Sequence, residues 1–132
     1  MKTIAIIIGL FFMLTSCSTT LPDSKPGNSI SLEKGNEEDE YDLIVFDTQY
    51  DLFLRTQAKP MHFYSESYYR TKNQRYVSEW NYRSSQPMRY DPNIYTLRIE
   101  YDSSTHYGLN LEYKLYNYFK FIEWKYKVNL DF

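Results

Sequence analysis

The chain is short of the residues on which most enzyme and metal sites depend. Its 132 residues include one cysteine, two histidines and four glycines. A single thiol cannot form an internal disulfide, and two histidines without thiols are a poor basis for a zinc site. Gly108 is the only glycine after residue 40, so that region holds neither a glycine-rich phosphate loop nor a Gly-x-Ser-x-Gly nucleophile elbow. The sequence therefore predicts no cofactor and no metal.

Positive charge is not in excess either. Residues 41–132 hold twelve basic and eleven acidic side chains, and residues 18–40 hold two basic and six acidic ones. Proteins that bind nucleic acid neutralise phosphates with a clear surplus of lysine and arginine. This balance excludes nucleic acid as an expected partner.

No apolar run reaches the roughly 20 residues that a membrane-spanning helix needs. The longest run, residues 4–14, follows Lys2 and ends in Leu14-Thr15-Ser16-Cys17. A basic start, a short apolar stretch and small residues before a cysteine are typical of a lipoprotein signal peptide. We predict that residues 1–16 are removed and that Cys17 becomes a lipidated N-terminus, carrying palmitate or a similar acyl chain. The alternative is an ordinary signal peptide with a coincidental cysteine.

Residues 17–40 contain few apolar side chains and end in the acidic run Glu37-Glu38-Asp39-Glu40. Such a segment buries too little surface to offset the entropy lost on ordering. We predict a disordered acidic tether between the lipid and a single domain at 41–132. That domain holds all fifteen tyrosines, six phenylalanines and both tryptophans. Its core must consist largely of rings, and the remaining rings favour a recognition surface.

The spacing of apolar residues predicts a small α+β domain, with about three helices packed against a short sheet. Strands are predicted at 41–47 and 94–101, with a possible short strand at 128–132. Helices are predicted from Asp47 or Thr48 to Gln57, from Met61 to Ser84, and after Gly108. The last helix has an apolar stripe. This stripe comprises Leu111, Leu115, Tyr118, Phe119, Ile122 and Tyr126.

The densest group of rings and charges lies on the second predicted helix. It supplies the candidate binding residues Tyr69, Glu79, Trp80, Tyr82 and Arg83. Alternating rings, guanidinium groups and carboxylates can bind a glycan or peptide by stacking and bidentate hydrogen bonds. The alternative is that the rings pack on the sheet and the arginines pair locally with Glu66 and Glu79.

Catalysis has weaker support. His62 and Glu66 are four residues apart and can share a helix face, and Glu66, Glu79 and Glu100 are possible paired carboxylates for glycoside hydrolysis. Neither set forms a recognised catalytic pattern. An enzyme acting on envelope glycan or peptide is therefore the alternative to a binding or structural protein.

Several sequence blocks resemble a family of small Bacteroidota lipoproteins that is classified only as a domain of unknown function. The blocks are YDLIVFD at 41–47, KPM at 59–61, FYS at 63–65, SYY at 67–69, YV at 76–77, EWNYR at 79–83, YGL at 107–109 and YKLYNYF at 113–119. The resemblance covers about residues 41–130 and implies an envelope lipoprotein without implying an activity. In such bacteria an acidic signal close to the cysteine accompanies surface export. Here residues 18–22 intervene, which favours the periplasmic face of the outer membrane.

Overall fold

The computed structural model describes residues 29–35 and 41–131, and it confirms the predicted α+β domain. A two-stranded antiparallel sheet is followed by three helices. The elements are β1 (Ile30–Lys34), β2 (Tyr41–Val45), α1 (Gln49–Thr56), α2 (Glu66–Ser84) and α3 (Leu109–Tyr126). The predicted signal peptide, Cys17 and most of the predicted tether lie outside the described residues.

The sheet pairs β1 with β2 in a register that joins Ile30 to Val45 and Lys34 to Tyr41. β2 confirms the strand predicted from residue 41, although it ends at Val45. β1 lies inside the segment predicted as a disordered tether, so that prediction is wrong for Ile30–Lys34. The cause is the alternation of Ile30 and Leu32, which pack against the core despite the polar composition around them.

A side-chain hydrogen bond lies at the start of each of the first two helices, but only in α2 does it come from the N-cap residue, because Thr48 at the N-cap of α1 makes none. The Asp47 carboxylate accepts a hydrogen bond from the Gln49 backbone N–H at 3.0 Å, and Ser65 Oγ accepts one from the Tyr68 N–H at 3.2 Å. α2 therefore starts at Glu66 and not at Met61 as predicted. Met61–Phe63 instead form a separate 3₁₀ turn, because the backbone is extended at Tyr64 and Ser65.

The strand predicted at 94–101 is wrong, because these residues are irregular. Ile94, Tyr95 and Ile99 are buried, which breaks the expected alternation, and Leu97 is exposed. Residues 128–131 also form no strand in the described part of the chain. Side chains of α2 hold both segments in place, as described below, so no sheet ladder is needed to fix them.

α3 is the central helix of the domain. It follows Gly108, whose φ of 86° is one that glycine adopts without strain. The predicted stripe is confirmed, with Tyr126 half-buried and the other members buried. Rings of α3 pack against α2 through Tyr76–Phe119 and against α1 through Tyr50–Phe121. The core is therefore built mainly from aromatic rings, as the composition predicts.

Candidate functional site

Two of the five predicted binding residues are core residues. The side chains of Tyr69 and Trp80 are each 1% exposed. The Tyr69 hydroxyl donates to the Met61 carbonyl at 3.1 Å, and the Trp80 indole N–H donates to the Leu97 carbonyl at 2.8 Å. Their polar atoms hold neighbouring chain segments in place. Both rings are buried, so they are not accessible on the outer surface of α2.

Glu79 and Arg83 also act within the fold. Arg83 bonds to the Glu79 carboxylate at 2.6 Å, to the Tyr95 hydroxyl at 2.8 Å and to the Asn129 carbonyl at 2.7 Å. Burial alone would lower the Arg83 pKa, but the hydrogen bonds to Tyr95 and Glu79 outweigh it and raise the pKa. The guanidinium group thus ties α2 to the segment around Tyr95 and to the tail at Asn129.

Tyr82 is the one predicted binding residue with a well-exposed side chain, at 44%. Its ring lies edge-on to Tyr90, and its hydroxyl is 3.4 Å from an Arg89 nitrogen. Asn81, between Trp80 and Tyr82, donates to the Ile99 carbonyl at 3.0 Å and accepts from the Ile99 N–H at 2.8 Å. The main role of residues 79–83 (EWNYR) is therefore to hold residues 95–99 and residue 129 in place by hydrogen bonds.

The two histidines do not come together in a metal site. His106 Nδ1 lies 3.2 Å from the Glu66 carboxylate, so Glu66 pairs with His106 and not with His62 as the sequence suggested. Within 29–35 and 41–131, no three histidine, cysteine, aspartate or glutamate side chains are grouped closely enough to hold a metal ion. In the same ranges, no helix is long and apolar enough to cross a membrane.

A buried carboxylate that sequence reasoning missed lies between α2 and α3. Glu112 is 1% exposed and accepts hydrogen bonds from the Asn73 amide at 2.7 Å and from the Tyr101 hydroxyl at 3.0 Å. Burial raises the Glu112 pKa, and the bonds from Asn73 and Tyr101 counter only part of that rise. The available signal was a polar residue on each apolar helix face: Asn73 between Tyr69 and Trp80, and Glu112 beside Leu111.

The described residues form a cleft where the end of α1, residues 58–64 and α3 meet. We call it the aromatic cleft, and its volume is about 340 Å³. This size lies at the lower end of the range of small-molecule sites. The lining residues are Phe53, Gln57, Ala58, Lys59, Tyr64, Tyr69, Tyr116, Asn117, Lys120 and Trp124.

The rings of the aromatic cleft form two walls. On one side Tyr69 and Tyr116 pack with centroids 5.2 Å apart, and Tyr64 stacks on Tyr68 at 4.1 Å. On the other side Phe53 packs against Trp124 at 5.7 Å. Trp124 is 44% exposed, so its ring is accessible as well as packed. Phe53 and Tyr69 are buried, so the rings that a ligand can reach are those of Trp124, Tyr64 and Tyr116.

Two lysines line the cleft, and they differ in their partners. The Lys120 ammonium group pairs with the Glu123 carboxylate at 2.8 Å. Lys59 instead donates to the Tyr64 hydroxyl at 3.0 Å and lies 4.1 Å from the centroid of the Phe63 ring. That hydrogen bond from Lys59 lowers the Tyr64 pKa. Among the described residues no carboxylate forms an ion pair with Lys59, so its charge is not neutralised by one.

Of the predicted site residues, only Tyr69 lines the aromatic cleft. The other rings of the cleft come from positions scattered between residues 53 and 124, and no local sequence motif joins them. The excess of tyrosine over what a small core can hold was the available signal, but it does not locate the cleft.

Comparison with protein families gives one informative finding. A family model described as a family of unknown function, DUF6146, matches residues 5–132. The match is longer than the resemblance at 41–130, because it includes the N-terminal apolar run and Cys17. Comparison with curated proteins and with solved structures gives no match.

Proposed function

The chain belongs to this family of unknown function. We propose that it is a lipid-anchored binding module of the bacterial cell envelope and not an enzyme. Its ligand contacts the aromatic cleft. The observation that carries the proposal is the cleft itself, where five rings and four polar side chains converge on a volume of about 340 Å³. Apolar walls with a few placed polar groups are the general form of a small-ligand site.

The envelope location rests on the N-terminal sequence. Lys2, the apolar run at 4–14 and Leu14-Thr15-Ser16-Cys17 support cleavage before Cys17 and attachment of lipid to its thiol. Several acyl chains hold a protein on a membrane far more firmly than a single one. Such an anchor keeps the domain close to envelope glycans and proteins, which are therefore the expected partners.

The absence of acidic residues at 18–22 supports the periplasmic face of the outer membrane. Protease treatment of intact cells tests this placement. We expect the domain to survive in intact cells and to be degraded once the outer membrane is opened. Removal of the domain from intact cells would place it on the outer surface.

The binding proposal is tested by isolating the lipidated protein from crosslinked envelopes, with Trp124→Leu compared with Tyr82→Leu. Both side chains are 44% exposed, but only Trp124 lines the aromatic cleft. We expect Trp124→Leu to reduce recovery of crosslinked envelope material and Tyr82→Leu to leave it unchanged. Thermal unfolding shows whether both variants are folded. If they are folded and yield equal amounts of crosslinked material, the aromatic cleft is not the binding site.

A further inference from the structure

The lining of the aromatic cleft is unusual in its lack of aliphatic side chains. Among the described lining residues Ala58 is the only one, and it is small, while Gln57 and Asn117 place amides among the rings. Acyl chains and aliphatic peptide side chains are usually held by leucine, isoleucine, valine or methionine. A ligand here instead meets aromatic rings and hydrogen-bonding groups.

This combination of rings and polar groups matches a sugar ring. A pyranose has an apolar face of C–H groups and hydroxyls around its edge, so it can lie flat on an aromatic ring while its edge bonds to polar neighbours. Trp124 offers an accessible ring, and tyrosine combines an apolar body with a polar tip. The exposed Gln57 amide can both donate and accept hydrogen bonds, whereas the Asn117 amide is 4% exposed and already donates to the Tyr113 carbonyl at 2.9 Å.

The charges of the cleft add a preference for an anion. Glu123 balances Lys120 and is itself held in place by the Leu130 backbone N–H at 2.8 Å. Lys59 is held by a phenol and a ring rather than by a carboxylate. The described part of the cleft therefore carries one positive charge that is not neutralised. Hydrogen bonds that involve a charged partner are about twice as strong as neutral ones.

We propose that the aromatic cleft binds an acidic saccharide, with the sugar ring on Trp124 and its carboxylate on the Lys59 ammonium group. This assignment rests on the proposed function, because it names the ligand class of the same cleft.

The test is calorimetric titration of the full lipidated chain in detergent with trigalacturonic acid and with its fully methyl-esterified form. The two probes share their rings and differ in charge. We expect the acid to bind roughly tenfold or more tightly than the ester, because only the acid can form a charge-assisted bond with Lys59. Raising the salt concentration should reduce the difference.

Two variants assign the two contacts separately. Lys59→Ala should abolish the preference for the acid while leaving the ester almost unaffected. Trp124→Leu should weaken both probes by a similar factor, roughly threefold to tenfold. Arg55→Ala is the matched control, since it removes one exposed positive charge from the neighbouring helix without changing the cleft lining. It should change neither affinity by more than about twofold.

Equal affinity for acid and ester, or no binding of either in the millimolar range, would overturn the acidic-saccharide assignment. N-acetyl-tryptophan, a carboxylate carried by an aromatic ring, is included as a further probe. Tighter binding of that probe than of trigalacturonic acid would indicate a peptide carboxyl terminus. The proposed function fails separately, if Trp124→Leu leaves the recovery of crosslinked envelope material unchanged.

Discussion

Glu112 shows how a single residue can join three parts of this fold. Its carboxylate receives hydrogen bonds from Asn73 on α2 and from Tyr101 in the irregular segment, and its own backbone carbonyl accepts from Asn73 at 2.8 Å. The Tyr101 ring in turn stacks on Tyr107 at 5.1 Å. A carboxylate buried in this way stabilises the fold only while its donors stay paired.

Replacement of Glu112 by leucine should therefore be costly. Glu112→Leu leaves the Asn73 amide and the Tyr101 hydroxyl without an acceptor, and we expect a loss of about 3 kcal/mol in the free energy of unfolding. Glu112→Gln keeps an acceptor and should cost about 1 kcal/mol or less. Urea unfolding measures both. Equal losses from the two variants would show that shape, and not hydrogen bonding, holds this position.

Comparison of Glu112→Gln with the native protein also predicts a difference in how stability depends on pH. Burial raises the Glu112 pKa above its ordinary value of 4.5 in the folded protein. Its contribution to stability is therefore fully present below that ordinary value and is lost as the pH rises through the folded pKa. Glu112→Gln cannot titrate, so its stability relative to the native protein should increase as the pH rises from the ordinary value of 4.5 through the folded pKa. A constant difference across this range would contradict the raised pKa.

At the scale of elements, α2 packs against α3 and also holds two irregular segments of the chain in place. Asn81, Trp80 and Arg83 on its last turns hold residues 95–99 and 129 by side-chain hydrogen bonds. Asn81 bonds both the N–H and the carbonyl of Ile99, as a neighbouring strand would. The segment is thus fixed without belonging to a sheet.

Asn81→Ala should loosen this segment selectively. Two hydrogen bonds to Ile99 are lost, and we expect a cost of about 2 kcal/mol in the free energy of unfolding. Hydrogen exchange at the Ile99 amide should speed up by more than exchange at Phe119 in the centre of α3. Equal acceleration at both amides would mean that the variant weakens the whole fold and that Asn81 is not a local clamp.

The elements that could be predicted from the sequence are those with a strong local signal. β2, α1 and α3 follow from apolar spacing, and the end of α2 follows from the residues that precede Pro87. The strand predicted at 94–101 failed because Asn81 and Trp80, distant in sequence, supply the backbone bonds that a sheet would otherwise provide. β1 was not predicted because the acidic residues near Ile30 and Leu32 made the segment resemble a disordered tether.

The candidate site was less predictable for a related reason. In the sequence alone, the alternating rings and charges at 79–83 suggest a binding surface. In the helix, however, Trp80 lies in the core and Tyr82 lies on the surface. The aromatic cleft needs Phe53, Tyr64, Tyr116 and Trp124 to meet, which only the packing of α1, residues 58–64 and α3 decides.

At the scale of the whole molecule, a predicted membrane anchor holds a domain whose proposed binding site is the aromatic cleft. The anchor is tested by mass spectrometry of the mature N-terminus. We expect a chain that begins at Cys17 and carries the added mass of acyl groups, and we expect Cys17→Ser to carry no acyl mass. An unmodified mature chain, or one that begins at another residue, would contradict the lipid anchor.

The central claim is that ligands meet the aromatic cleft and not the face of α2 around residues 79–83. The most direct measurement places a photo-crosslinking amino acid at position 124 or at position 82 of the full chain in growing cells. Trp124 and Tyr82 are equally exposed, so accessibility alone predicts equal yields. The account predicts an envelope adduct from position 124 and little or none from position 82. An adduct mainly from position 82, or equal yields from both, would contradict it.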